Sequence, residues 1–282
     1  EKEHLAQVAC ECLKLDCPEP DLEDWKAMVN ALKHPTSEVT VALVGKYITL
    51  HDAYISVVEA LKHGSIASHS VVNIKWVDSE TVTPDNVAEL LGDVNGILVP
   101  GGFGSRGIEG KITAIEYART HNIPFLGLCL GMQLSIVEYA RHVLKYTDAH
   151  SIELDPKTTH PVIDLMPDQN GVEDIGGTLR LGSYPCVLAK DSKAYALYGE
   201  ETIHERHRHR YEVNNYYRDD LEKNGMKLSG LSPDGRIVEM LEIPEHPWFV
   251  ATQAHPEFKS RPNHPHPLFK GFVGAALEYQ DK

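Results

Sequence analysis

Short apolar runs alternating with amphipathic ones, a glycine-rich segment after the third run, and a glycine-flanked cysteine after the fourth predict an α/β fold. The expected architecture is a doubly wound, mostly parallel sheet with helices on both faces and a smaller antiparallel insertion. Parallel strands covered on both faces read as continuous apolar stretches, and the strand candidates here do so.

Residues 1–20 carry Cys10, Cys12, Cys17, Pro18 and Pro20 and read as a tail or linker with some helix. Leu22, Trp25, Met28, Val29 and Leu32 recur at helical spacing over 21–33, and His34-Pro35 ends that helix. We take 38–282 as the main domain; the residues leave open whether the helix within 1–37 belongs to it or leads in from another domain. Strands are expected at 39–44 (VTVALV), 71–77, 96–99 (GILV) and 123–126. Helices are expected at 52–61, 84–91 (Pro84 at its start), 107–120 and 130–143. Residues 144–247 break this rhythm with scattered Pro, Gly and short alternating runs, which mark the antiparallel insertion. A strand at 249–253 and a helix at 267–279 close the chain.

With 282 residues the chain can bury a large core without disulfides or metals. Lys and Arg number 27 against 41 Asp and Glu, a formal charge of −14, which disfavours binding to nucleic acid or an anionic membrane. Five cysteines at irregular spacing argue against a secreted disulfide framework. Charges at Glu1, Lys2, Glu3 and Glu11 leave no signal-peptide core, and no apolar run approaches the ~20 residues of a membrane span. We therefore expect a cytoplasmic protein. The chain opens at Glu1 rather than Met, which we read as a trimmed fragment.

The strongest chemical signal is IPFLGLCLGMQ, in which Gly127 and Gly131 flank Cys129 between a strand and a helix. This G-x-C-x-G is the thiol form of a nucleophile elbow, and the helix beginning at Leu130 aims its amides at the sulfur. The competing reading is a buried structural cysteine beside packing glycines. PGGFG (100–104) lies at the carboxyl end of the third strand, where ligands bind in such sheets. Gly102 N–H and Leu130 N–H are the candidate oxyanion hole, and GSRGIEG (104–110) a candidate lid. QAHPEF follows the last strand. With Pro256 holding an extended backbone, Glu257 falls on the same side as His255 and can orient its ring. His255 is then the base for Cys129 and the acid for a leaving amine. In 205–211, alternation puts Arg206, Arg208 and Arg210 on one face and His207 and His209 on the other. The arginine face suits an anion. Zinc is the weaker alternative, since no Cys-x-x-Cys accompanies the histidines, and no metal is expected.

Together these residues resemble the class I (triad) glutamine amidotransferases, and within them the glutaminase domains of the CTP synthase family. LCLGMQ and HPE are shared widely in the class. VGKY, GGFGSRG, GGTLRLG and ERHRHRYEVN point to the narrower group. The resemblance implies that Cys129 attacks the carboxamide of L-glutamine, giving a γ-glutamyl thioester and ammonia, with His255 as base and acid and Glu257 orienting it. It implies substrate contacts from Gly102, Leu130, Gly131, Met132, Gln133, Glu153 and Arg210, the last two for the amino-acid end. GTP is implied as an activator near Phe103, Arg106 and Gly107. No cofactor is implied in this domain. An N-terminal synthetase domain of the same polypeptide, binding ATP and Mg, would use the ammonia to aminate UTP to CTP, and the full-length enzyme would be a homotetramer. PEPDLEDWKAMV resembles the linker from that domain.

Two positions depart from the family pattern: Ala254, where an aromatic residue or Cys is usual, and Ser151-Ile152-Glu153-Leu154 in place of Ser-Thr-Glu-Phe. A free-standing γ-glutamyl or cysteine hydrolase and an inactive nucleotide-binding module are the alternative readings. The chemistry itself asks for a soft nucleophile, a base of pKa ~6.5 and paired amide donors.

Overall fold

The computed structural model describes residues 2–165 and 180–281. In chain order the elements are α1 (Leu5–Leu13), α2 (Glu23–Lys33), β1 (Ser37–Gly45), α3 (Ile55–Ala67), β2 (Ser70–Asp78), α4 (Val87–Leu91), β3 (Gly96–Val99), α5 (Ile108–Thr120), β4 (Phe125–Leu128) and α6 (Leu130–His142). There follow β5 (His150–Ser151), β6 (Pro161–Asp164), β7 (Arg180–Leu188), α7 (Lys193–Tyr198), β8 (Thr202–His209), β9 (Glu212–Val213), α8 (Arg218–Lys223), β10 (Lys227–Leu231), β11 (Val238–Glu242), β12 (Phe249–Thr252) and α9 (Pro267–Gln280).

The main sheet runs β2-β1-β3-β4-β12-β11-β10-β7-β8. Pairing is parallel from β2 to β12 and antiparallel from β12 to β8. The antiparallel strands of the insertion thus extend the parallel sheet rather than forming a body of their own. Strands β5, β6 and β9 make a separate small sheet.

Alternate residues of each parallel strand feed opposite layers, as a pleated backbone requires. Ala42, Val44, Ile97 and Val99 pack with Ile112 and Ile115 of α5 and Met132 and Ile136 of α6. Val41, Leu43, Leu98 and Leu126 pack on the other face with Leu61 of α3 and Phe269 and Phe272 of α9. Helix α1 buries no residue and α2 buries Ala31 alone, so neither adds much to this core.

The helix expected at 52–61 begins as a 3-10 turn, His51–Tyr54, before α3. The strand expected at 123–126 lies two residues later, since β4 pairs Phe125–Leu128 with Phe249–Thr252. These ends matter, because β3, β4 and β12 terminate side by side and place 100–104, Cys129 and His255 at one edge of the sheet.

Candidate active site

Cys129 occupies the single residue between β4 and α6, with φ 51° and ψ −101°. A non-glycine residue pays on the order of 1–3 kcal/mol for such a backbone, so its surroundings must enforce it. Its own N–H donates to Thr252 C=O at 2.8 Å, pinning the turn to β12. The neighbouring glycines let the chain pass: a Cβ on Gly131 would stand 2.2 Å from Val99 O, and one on Gly127 2.9 Å from Ala251 Cβ. Met132 N–H and Gln133 N–H close the first helical hydrogen bonds on Cys129 C=O. Among the described residues, Leu130 N–H and Gly102 N–H have no acceptor. Both residues line the same pocket as Cys129.

His255 follows β12, its N–H bonded to Arg206 C=O of β8 at 2.7 Å. Glu257 Oε1 lies 2.7 Å from His255 Nδ1. The backbone here is a 3-10 turn, Pro256–Phe258, rather than the extended segment expected, so the i,i+2 contact comes from a turn. A Cβ built on Gly101 would meet His255 Cε1 at 2.9 Å and Cys129 Cβ at 3.5 Å. Ring and cysteine therefore face one another across that glycine. His255 Nε2 is buried without an aligned hydrogen bond, a common condition of a resting site. Burial opposes a charge on the ring, but the Cys129 sulfur and the Glu257 carboxylate beside it outweigh that and push the imidazole up to about 10. The ring beside the sulfur thus has a raised affinity for a proton.

The pocket at Cys129 is completed by Phe103, Gln133, Glu153, His209, Arg210 and Tyr211. Burial raises the Glu153 carboxyl against the pull of Arg210. Arg210 Nε is buried and unpartnered. A carboxylate and a guanidinium thus share one pocket, and no ion pair joins them among the described residues. Strand β8 ends at His209, so Arg210 enters this pocket. Arg208 instead stands 5.8 Å over the Phe103 ring, lining a second cavity of about 290 Å³ with Tyr47, Tyr54, His255 and Phe258.

Two expected substrate contacts do not reach the pocket. Met132 is fully buried in the α5–α6 core layer, and Gly131 is packed against Val99. The expected lid narrows to 104–106. Gly107 caps α5 at φ 71°, where a Cβ would meet Ser79 Oγ at 2.2 Å, and Gly110 lies inside the helix. Arg106 pairs with Glu80 at 2.8 Å and lies over Tyr47, while Phe103 is exposed. Most of GGTLRLG lies outside the described residues.

Gln253 is the side chain that sequence reasoning passed over. It is fully buried, its Nε2 lies 3.6 Å from Cys129 Sγ, and its Oε1 accepts from Gln133 Nε2 at 3.2 Å. Its place two residues before His255 was the available signal. The histidine face of β8 is buried too: His209 Nε2 meets Glu212 Oε1 at 2.8 Å, and Arg180 lies 2.7 Å from Glu239 and 3.4 Å from Glu212. Among the described residues one acid-histidine group, Glu116, Glu138 and His142, is close enough for an ion. Arg119 holds its Glu138 bidentately at 2.7–3.1 Å.

The model for glutamine amidotransferase class-I matches residues 49–275. A CTP synthase of Clostridium kluyveri is 57% identical over 281 residues, covering 100% of this chain and 52% of the relative. One of Geobacillus kaustophilus is 58% identical over 278 residues, covering 99% of this chain and 52% of the relative. The chain thus spans about half the length of the curated relatives it matches. Among solved structures, the Trypanosoma brucei CTPS glutaminase domain with bound acivicin is 38% identical, with a TM-score of 0.81, covering 85% of this chain and 94% of that one. Among the described residues no helix is long and apolar enough to cross a membrane.

Proposed function

The chain belongs to the class I glutamine amidotransferases, as a glutaminase domain of the CTP synthase family, and from that premise we propose that Cys129 is the nucleophile that deamidates L-glutamine. The observation that carries this reading is the meeting of Cys129 and His255 across Gly101, with Glu257 on the far nitrogen of the ring.

Cys129 Sγ attacks the side-chain carbonyl carbon. The C–S bond forms, and the carbonyl oxygen takes up negative charge beside the Gly102 and Leu130 amides. His255 gives its proton to the departing nitrogen as the C–N bond breaks, releasing ammonia and leaving a γ-glutamyl thioester. The now neutral ring takes a proton from water as the water oxygen attacks the thioester; the C–S bond breaks, the ring returns that proton to the departing sulfur, and glutamate leaves as its carboxylate, its acid proton going to solvent. Glutamine is a zwitterion at its far end, and the carboxylate of Glu153 and guanidinium of Arg210 suit its ammonium and carboxylate. Gln133 lines the same pocket. Phe103 and Arg208 offer a ring and a cation for an activating nucleotide such as GTP, with Arg106 nearby over Tyr47.

In a longer polypeptide, 1–37 would link this domain to an N-terminal synthetase domain that spends the ammonia, with ATP and Mg, on converting UTP to CTP in a cytoplasmic homotetramer. The span of about half of the relatives' length supports that division. Five free cysteines fit a reducing compartment. Intact-mass analysis after treatment with acivicin tests the site. One adduct mapping to Cys129 and blocked by glutamine is expected, and labelling spread over Cys10, Cys12 and Cys17 would refute it.

A further inference from the structure

Lys111 presents a physical problem that the mechanism above leaves unanswered. It lies in the first turn of α5 and is 1% exposed; its backbone N–H bonds Gly107 C=O, but its ammonium makes no hydrogen bond or ion pair among the described residues. A buried ammonium without a counter-charge is expensive. The charged groups facing it add to that cost. Lys46, from the end of β1, donates to Phe103 C=O, and Arg106, from the loop before α5, is engaged by Glu80. Burial, then the two cations, push Lys111 down to about 8.

The place where the ammonium ends is informative. A Cβ on Gly102 would stand 3.7 Å from Lys111 Nζ and 3.6 Å from Leu130 Cδ2. Nζ therefore faces the Cα of Gly102, one candidate oxyanion donor, on the side where a methyl of Leu130, the other, also approaches. The protein keeps a positive charge here with no partner, at the corner where attack by Cys129 creates a negative one.

We propose that Lys111 is a positioning residue for deamidation: its buried ammonium braces the Gly102 turn against Leu130 and offsets, through those amides, the charge that builds on the scissile oxygen. This rests on the reading of Cys129 as nucleophile. An unpaired cation is a poor structural element, so its removal relieves the folded state while the transition state loses its support.

The test compares glutamine hydrolysis and thermal unfolding in the wild type, Lys111→Met, Lys111→Gln and Cys129→Ala. Both neutral Lys111 variants are expected to lose about 10–100-fold in kcat, a fraction of what a direct oxyanion donor contributes, with KM within about threefold. Wild-type kcat should fall above pH 8 as the ammonium deprotonates, and that limb should vanish in both variants. Their Tm should rise, where a merely structural lysine would lower it. If kcat stays within about twofold of the wild type, if the limb near pH 8 persists, or if Tm and kcat fall together, the proposal is wrong. Hydrolysis surviving in Cys129→Ala would overturn the nucleophile itself. Loss there with wild-type behaviour in both Lys111 variants would overturn the Lys111 role alone.

Discussion

Gln253 Nε2 points at Cys129 Sγ from 3.6 Å, while the Gln253 carbonyl oxygen accepts from Gln133. The sulfur is thus met from β12 by an amide donor two residues before the histidine that serves it. A donor there favours sulfur that carries negative charge, and it ties the floor of the pocket to the nucleophile. Gln253→Leu removes one hydrogen bond to the sulfur and leaves Gln133 Nε2 with its bond to Tyr211 C=O alone. The expected result is a loss of about 10-fold in kcat/KM, the size of one buried hydrogen bond, and a matching fall in the rate of Cys129 alkylation by iodoacetamide. Unchanged alkylation would remove the amide from the account.

Glu257 holds His255 Nδ1 at 2.7 Å and, with Cys129, keeps the ring's proton affinity high despite burial. Glu257→Gln takes away the charge and leaves an amide that can hold the wrong tautomer. Activity should fall by on the order of 10²–10⁴-fold, as for other histidines deprived of an orienting carboxylate. The His255 titration, followed by NMR, should move down from about 10. A titration that stays in place would show that Glu257 does not set it.

Glu153 and Arg210 line one pocket without pairing among the described residues, and the Nε of Arg210 is buried and unpartnered. Arg210→Ala and Glu153→Ala should each raise KM for glutamine by about 10–100-fold, the value of a charged hydrogen bond, with much smaller changes in kcat. Equal losses in kcat would assign these residues to the chemistry instead of to binding.

His207 and His209 are buried uncharged in β8. Burial first, then nearby positive charge, brings them down to about 2 and about 3. In the unfolded chain they titrate near ~6.5. Between those values the unfolded state binds protons that the folded state refuses, so stability is complete above pH ~6.5 and falls as the pH drops toward 3. The slope is about 1.4 kcal/mol per pH unit for each histidine. Denaturant unfolding of His207→Asn between pH 6 and 4 should show a slope shallower by one proton. An unaltered slope would mean that His207 is protonated in the folded protein.

The parallel half of the fold was readable because its strands are covered on both faces and so are apolar throughout, as Val41–Val44 and Gly96–Val99 are. The elbow was readable because Gly127 and Gly131 are required by backbone contact alone. What escaped depends on partners far along the chain. The alternation in β8 told which residues share a face. It did not tell that the histidine face would be sealed over Arg180 and Glu239, since both lie on strands whose pairing is non-local. Met132 sits beside true pocket residues in sequence, yet helical geometry turns it into the core. Lys111 carries no local sign of burial, because a lysine in the first turn of a helix is ordinarily solvated.

The central claim is that one sulfur, on Cys129, breaks the amide. The direct measurement is ammonia release from glutamine by Cys129→Ala, purified under conditions where its unfolding transition matches the wild type. The account predicts no release above the uncatalysed rate. Release at the wild-type rate would contradict it, whatever the likeness of the rest of the chain to its relatives.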